Sequence, residues 1–159
     1  MVFFDEIIIK DSIEIETTTE KIWGFFDNLE ENYLSWHPED HVACRWLKGR
    51  PHQIGSIAYF EEMLGGKLRK IKVKIAKVEK YKYSENKPRF PLSIFHPKGM
   101  YIIESKDNKC VFTAVNYFNI PKIFKNKFLA FAKIKALEKH MKEEGIILKR
   151  LLENRQKAK

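Results

Sequence analysis

The sequence predicts an α+β protein in which a curved antiparallel sheet packs around one long C-terminal helix. Between residues 42 and 118, apolar and polar residues alternate in short runs that turn-forming residues separate, as in antiparallel strands. Over residues 124–153, apolar residues instead recur with the 3.6-residue period of a helix. The 159 residues suffice for a core and a ligand cavity, so we expect one domain over residues 1–159.

The chain begins with a predicted strand and two predicted helical segments. Isoleucines alternate with polar residues over part of residues 7–15, which indicates a strand with one buried face. Thr17, with Glu20 three residues later, matches a capping box and predicts the start of a helix. The helical pattern is lost near Glu30, and we expect a short second helix or an irregular turn over residues 33–41.

Five strands are predicted between this helical region and the last helix. They cover residues 42–48, 56–64, 67–83, 100–105 and 109–118. Gly65-Gly66 and Asp107-Asn108 predict tight hairpin turns. Three prolines between residues 83 and 100 predict a loop with at most a short edge strand. We expect the last helix to end near Glu153 and residues 154–159 to form a frayed tail.

Composition and charge restrict the classes of function. The formal net charge is +9, but lysines spread over several elements carry most of it, so we expect a solvated basic surface and no specific nucleic-acid partner. No segment reaches the roughly 20 apolar residues of a membrane span, and Asp5 and Glu6 argue against a signal peptide. We therefore expect a cytoplasmic protein in which Cys44 and Cys110, which lack C-x-x-C spacing, are reduced.

Two polar residues interrupt the apolar stripe of the last helix. His140 and Glu144 lie one turn apart, among the stripe residues Ala130, Ile134, Leu137, Met141, Leu148, Leu151 and Leu152. An imidazole and a carboxylate with this spacing can contact the same ion. A carboxylate buried without a partner would be strongly unfavourable, so we expect a compensating group. The alternative is a buried hydrogen-bonded pair without an ion.

The segment of residues 36–41 contains two histidines and two carboxylates, a set suited to metal ligation or acid–base chemistry. His41 lies where the chain enters its strand and is the better placed of the two to point into a cavity. His37 precedes Pro38 and would instead hold the turn, although it stays an alternative ligand.

The Gly65-Gly66 turn predicts which strand residues face inward. If Leu64 pairs with Lys67, Glu62 lies opposite Arg69 and points inward with Phe60, whereas Glu61 points outward opposite Lys70. Two alternatives stay open. Glu62 could only pair with Arg69, and a slip of one residue would exchange the roles of Glu61 and Glu62.

Together these residues predict a metal site. One early histidine, Glu62, His140 and Glu144 would supply two imidazoles and two carboxylates, a set that suits Zn²⁺ first and also Fe²⁺ or Mn²⁺. The order of elements resembles the helix-grip fold of the Bet v 1 and START-like (SRPBCC) superfamily over nearly the whole chain. That resemblance implies a cavity between sheet and helix for a small hydrophobic or aromatic molecule.

The residues also resemble the zinc-dependent 2,4-diacetylphloroglucinol hydrolase family, which cleaves a carbon–carbon bond to an acyl group on a phenolic ring. The resemblance implies four metal ligands, which are His41, Glu62, His140 and Glu144. It also implies that Tyr33 contacts a substrate oxygen and that Tyr33, Glu62 and Glu144 are the catalytic residues. Tyr101 and His96 are the nearest matches to further substrate-binding residues.

Three functions follow as hypotheses. The first is a metal-dependent, zinc-using hydrolase of a small acyl-bearing ketone. The second is a metal-free carrier of a hydrophobic molecule or lipid, and the third is a basic interaction module. For the first two, Phe60, Phe112 and Trp46 are expected to line the cavity. The sequence carries no signature of an oligomeric state.

Overall fold

The computed structural model describes residues 3–123 and 127–157. The strands are β1 (Phe4–Ile15), β2 (His41–Lys48), β3 (Ile57–Leu64), β4 (Lys67–Glu79), β5 (Tyr83–Pro88), β6 (Lys98–Lys106) and β7 (Lys109–Pro121). The helices are α1 (Thr19–Asp27), α2 (Leu29–Trp36) and α3 (Lys127–Lys157), and a short 3-10 helix, Leu92–Ile94, follows β5. No helix among these residues is long and apolar enough to cross a membrane.

The seven strands form one antiparallel sheet, which confirms the predicted helix-grip architecture. Their order is β1-β7-β6-β5-β4-β3-β2, and every neighbouring pair is antiparallel. The apolar face of α3 joins the core through Leu137, Met141 and Leu148. Gly145 lies where α3 crosses β1, because a Cβ atom at this position would come within 3.2 Å of Asp11 Oδ2.

The register predicted for the β3–β4 hairpin is confirmed. Leu64 pairs with Lys67, and Glu62 pairs with Arg69 across the Gly65-Gly66 turn. A two-residue turn fixes the register of the strands that it joins, which is why counting from the glycines succeeds. Glu62 is therefore buried on the inner face, whereas Glu61 is only half-buried. Cys44 and Cys110 are both free thiols, as predicted.

The prediction for the two short helices is wrong in detail. Thr18 rather than Thr17 caps α1, because the Thr18 side chain accepts a hydrogen bond from the backbone N–H of Lys21. The second helix begins at Leu29, and not in the predicted range of residues 33–41. The Asn28 side chain donates to the carbonyl of Gly24, which ends α1 there and lets α2 begin one residue later.

The strand predicted over residues 67–83 ends earlier, at Glu79. The chain turns after Glu79, with Tyr81 at a φ of 66°, and β5 then pairs with both β4 and β6. A short strand was allowed between residues 83 and 100, but β5 is an interior strand rather than an edge strand, and Pro88 stands at its end. The tail predicted to fray is helical through Lys157, because α3 continues. Residues 124–126 and 158–159, included in the predicted helix and tail, lie outside the described residues.

Candidate metal centre

Four elements bring the predicted site residues together at one end of the sheet. His41 is the first residue of β2, and its backbone lies directly opposite Glu62 of β3 in the sheet register. α3 crosses above this pair and contributes His140 and Glu144 from one face. The indole N–H of Trp36, at the end of α2, donates to the backbone carbonyl of Glu144 over 3.0 Å and fixes α3 in this position.

The ligand atoms of these side chains converge. One atom each from His41, Glu62 and His140 lies within 4.8 Å of the other two, and all three residues are buried. Nε2 of His140 is 3.6 Å from Glu62 Oε2 and 3.3 Å from Glu144 Oε1. Nε2 of His41 is 3.0 Å from the same oxygen of Glu144. Two imidazoles and two carboxylates thus face one small volume.

The outer nitrogen of each imidazole has a partner of its own. Nδ1 of His41 lies 2.8 Å from the backbone carbonyl of Tyr33, and Nδ1 of His140 lies 3.0 Å from Oδ2 of Asp40. Both oxygens are acceptors, so each Nδ1 carries a proton and the neutral tautomer presents a lone pair at Nε2. A histidine whose other nitrogen donates to a carboxylate or carbonyl is the usual arrangement around a protein-bound metal.

The inner face of the cluster fits a cation. In their neutral tautomers, His41 and His140 direct lone pairs at carboxylate oxygens, which is repulsive unless a proton or a metal ion lies between them. Nε2 of His140 is buried and forms no hydrogen bond. Glu62, Glu144 and Asp40 bring three carboxyl groups to the cluster, and the guanidinium of Arg69 contacts Glu62. The donors of this set, nitrogen and carboxylate oxygen, are those of zinc, iron(II) and manganese(II) sites.

The electrostatics of the cluster shift two pKa values in opposite directions. Burial alone would lower the pKa of His140, but close contact with Glu144 and the charges of Glu144 and Glu62 outweigh it and raise the pKa to about 9. Burial alone would raise the pKa of Glu144, yet its contacts with His140 and His41 lower the pKa to about 2. The cluster therefore favours positive charge at its centre.

Tyr33 forms one wall of the cluster. Its ring stacks on the imidazole of His41, with 3.8 Å between ring centroids and 4° between planes, and its hydroxyl donates to Glu62 Oε2 over 3.4 Å. Burial, reinforced by the charges of Glu62 and Glu144, raises the pKa of Tyr33. The hydroxyl therefore stays protonated near neutral pH and serves as a donor.

His37 lies beside the cluster rather than in it. Its Nδ1 accepts from the backbone N–H of Asp40, and its Nε2 is 2.9 Å from Glu143 Oε2. Its ring stacks on His140, and it forms a second group of possible ligands with Asp40 and His140. The geometry thus favours His41 over His37 as the partner of Glu62, although both stay predictions as ligands.

Sequence reasoning missed the role of Asp40 and the double role of Glu62. Asp40 belongs to the segment that drew attention to His37 and His41, but periodicity does not tell where a turn residue points. Its carboxylate reaches His140 from outside the cluster. The alternative in which Glu62 pairs with Arg69 is also present, since one oxygen contacts Arg69 while the other faces His140 and Tyr33.

A cavity of about 150 Å³ adjoins the cluster between the sheet and α3. Phe60 and Trp46 line it as predicted, whereas Phe112 lies in the core behind Tyr101. Among the described residues, three buried side-chain nitrogens form no hydrogen bond: Trp46 Nε1, His96 Nδ1 and His140 Nε2. All three residues line this cavity, so a polar ligand there would supply the missing partners.

Comparisons with known proteins identify the fold and leave the activity open. No protein-family model and no curated protein sequence matches this chain. Many solved structures do match, at low sequence identity. The Zhui aromatase/cyclase from Streptomyces sp. R1128 has a TM-score of 0.76 at 8% identity, over 95% of this chain and 96% of its own.

Two further neighbours support the same fold. A START superfamily protein from Mycobacterium smegmatis has a TM-score of 0.70 at 11% identity and covers 92% of this chain and 97% of its own. Ara h 8.0201 has a TM-score of 0.60 at 13% identity and covers 91% of this chain and 99% of its own. At these identities the likeness shows a shared fold alone, and that fold is the helix-grip fold.

Proposed function

We propose that this protein is a metal-dependent hydrolase, with zinc as the first candidate ion, that cleaves an acyl group from a small phenolic or related ketone. One observation carries the proposal. His41, Glu62, His140 and Glu144 converge on one volume, and the outer nitrogens of both imidazoles are already held by acceptors. The Zhui aromatase/cyclase supports it indirectly, because that neighbour shows that the fold accommodates enzymes.

The protein's own residues have separate roles in the proposed reaction. When bound, a divalent cation would supply Lewis-acid activation of the acyl carbonyl and of a water molecule. His41, Glu62, His140 and Glu144 would hold it, and Glu62 or Glu144 would exchange a proton with the substrate. Tyr33 donates a hydrogen bond to a phenolic or enolic oxygen, and its raised pKa keeps it a donor.

The cavity restricts the substrate to a small ring. A cavity of about 150 Å³ compares in volume with engineered apolar cavities that hold benzene, so one ring with small substituents is the expected size. Apolar side chains such as Phe60 and Leu137 supply walls for that ring. His96 and Tyr101 are the proposed polar contacts at the sheet, because both line the cavity and His96 Nδ1 is unpaired.

Metal analysis followed by an activity screen tests the proposal. Tag-free protein, dialysed against a weak chelator, should retain about one zinc ion per chain by elemental mass spectrometry. Ring-acylated phenols should then be deacylated, with activity lost to a strong chelator and restored by zinc. Protein without stoichiometric metal, or metal-loaded protein that cleaves none of these substrates, would contradict the proposal.

A metal-free carrier is the second candidate. The observation that favours it is the mostly apolar lining of the cavity, which suits sequestration without chemistry. Under this alternative, His140 and Glu144 would only anchor the polar end of the ligand. Organic extraction of the purified protein would then recover a bound small molecule from protein that contains no metal.

A further inference from the structure

One end of the sheet presents exposed apolar side chains in an unusual number. We call them the apolar rim, which consists of Phe90, Ile94, Phe95, Ile123, Leu129 and Phe131. Ile123 is 83% exposed and Phe90 78%. Isolated apolar residues on a surface need no explanation, but a group of them at one end of a molecule indicates a site of interaction.

The topology places the rim residues at the same end of the molecule. Three segments lie at one end of the antiparallel sheet. They are the turn between β3 and β4, the loop between β5 and β6, and the end of β7. The β5–β6 loop is tied to β7 by hydrogen bonds from Asn119, whose backbone N–H donates to Phe95 and whose side chain donates to Ile94. The β3–β4 turn lies against α3, with Gly65 beside Ala136.

The rim is at the end of the sheet that contains the metal cluster. Glu62 lies two residues before the Gly65-Gly66 turn, and its strand partner His41 begins β2 at the same end. α3 begins at this end and then carries His140 and Glu144 over the sheet. A surface that rested on the rim would therefore face the functional end of the cavity.

Basic residues predominate around the rim. Residues 63–78, 86–103 and 119–137 contain no aspartate or glutamate, although they contain many lysines and arginines. Lys67, Lys98 and Lys133 are among them, and Lys67 and Lys133 are exposed. The start of β1 lies at the same end and carries Asp5 and Glu6, but Asp5 is already paired with Lys122, so a basic excess is left. Such an asymmetry attracts an anionic partner.

We propose that the apolar rim docks on an anionic lipid membrane. Apolar and aromatic side chains insert at the boundary between headgroups and acyl chains, and the surrounding lysines contact the anionic headgroups. A nucleic acid would use the lysines but would have no use for exposed leucine and isoleucine, so the combination favours lipid. The docking brings the cavity to a source of hydrophobic ligand and does not rest on the proposed hydrolase activity.

Vesicle sedimentation with matched variants tests the docking. The full chain is mixed with vesicles of phosphatidylcholine alone or of phosphatidylcholine with phosphatidylglycerol. We expect binding to the anionic vesicles that weakens as salt rises. Leu129→Ser combined with Phe131→Ser should weaken binding by about tenfold or more. The control is Ile54→Ser in the loop between β2 and β3, which is 65% exposed at the opposite end of the sheet and should bind as the unsubstituted protein does.

Three results would overturn the docking. They are failure of the unsubstituted protein to bind anionic vesicles, equal losses in the rim and Ile54 variants, and binding to heparin or RNA but not to lipid. The substituted positions are exposed, so unchanged thermal unfolding should show that the variants fold. Metal content measured on the same samples reports separately on the proposed hydrolase, so one hypothesis can fail without the other.

Discussion

A histidine lies close to a carboxylate at each end of β2, but the two sites differ in burial and in the number of carboxylates. Near the far end, His52 stacks on Trp23 with 3.6 Å between ring centroids, and its Nδ1 is 2.7 Å from Asp27, whose side chain is 49% exposed. At the near end, His41 and His140 share the buried Glu62 and Glu144. The far pair is complete and faces solvent, whereas the near cluster converges on one point and leaves a buried nitrogen unpaired.

The pKa values of His52 and His140 shift in opposite directions, because the two imidazoles have different numbers of carboxylates around them. Burial lowers the pKa of His52 against the single opposing influence of Asp27. His140, in contact with Glu144, Glu62 and Asp40, has a pKa raised to about 9. Desolvation alone cannot explain this difference, because it lowers the pKa of both imidazoles. Convergent carboxylates therefore distinguish the candidate metal cluster from the far pair, and the mere proximity of histidine and aspartate does not.

The largest expected effect is loss of the metal on changing the near cluster alone. His140→Ala removes a nitrogen ligand and should reduce bound zinc from about one ion per chain to near zero. His52→Ala should leave the metal content unchanged, because His52 lies outside the cluster. Elemental analysis of both variants measures the effect. Equal metal content in the two variants would contradict the assignment of the metal to the cluster of His41 and His140.

A second effect, somewhat smaller, separates the two neighbouring glutamates of β3. Glu62→Gln weakens a ligand on the inner face and should lower zinc affinity by about a hundredfold, whereas Glu61→Gln should change it little. Glu61 points the other way, toward Lys70 and the hydroxyl of Tyr59. Competition with a chromogenic chelator gives both affinities. The reverse order would mean that Glu61 faces the metal.

The outer partner of His140 provides a third, weaker effect. Asp40→Asn removes the carboxylate that accepts from His140 Nδ1, and partners of this kind usually contribute 10- to 100-fold in metal affinity. We expect about tenfold here, because Asp40 is only partly buried. Glu39→Gln, one residue earlier and exposed, is the matched control. Similar affinities for the two variants would show that Asp40 does not support the cluster.

The fold could be predicted from the sequence because its main signals are local. The Gly65-Gly66 turn fixes the β3–β4 register by counting, and the apolar stripe identifies α3 and its inward face. The start of α1 was misplaced by one residue because Thr17, Thr18 and Thr19 are equivalent as capping residues by type. The turn between β4 and β5 was not predicted, because Tyr81 adopts its turn conformation without glycine or asparagine.

The site could be predicted only in part, because its geometry is not local. His140 and Glu144 share a helical face, which spacing reveals. The pairing of His41 with Glu62 depends on the β2–β3 register, which includes an irregularity after His41 and follows a long connection. Counting from a tight turn was therefore impossible there. The contribution of Asp40 requires the direction of a turn side chain, which no periodicity encodes.

The smallest expected effect concerns His96, a buried histidine that contacts no carboxylate, and the pH dependence of the protein's stability. His96 is buried, its Nε2 lies 2.9 Å from Asn116 Oδ1, and burial lowers its pKa to about 4. In the unfolded chain it titrates near pH 6.5, so between about pH 6.5 and 4 the unfolded state binds more protons and stability falls as the pH falls. This group should remove about 2 kcal/mol over that range. His96→Gln should abolish that part of the loss, because the amide keeps a donor for Asn116 and does not titrate.

Urea unfolding of both proteins at about pH 7 and pH 4.5 measures the difference. Acid-sensitive contributions from the metal cluster are common to both proteins and cancel in the subtraction. A steeper decline for the unsubstituted protein would confirm that burial without a carboxylate in contact lowers the pKa of His96, in contrast to His140. Parallel declines would mean that His96 is solvated in the folded protein, and that the cavity beside it is filled with water.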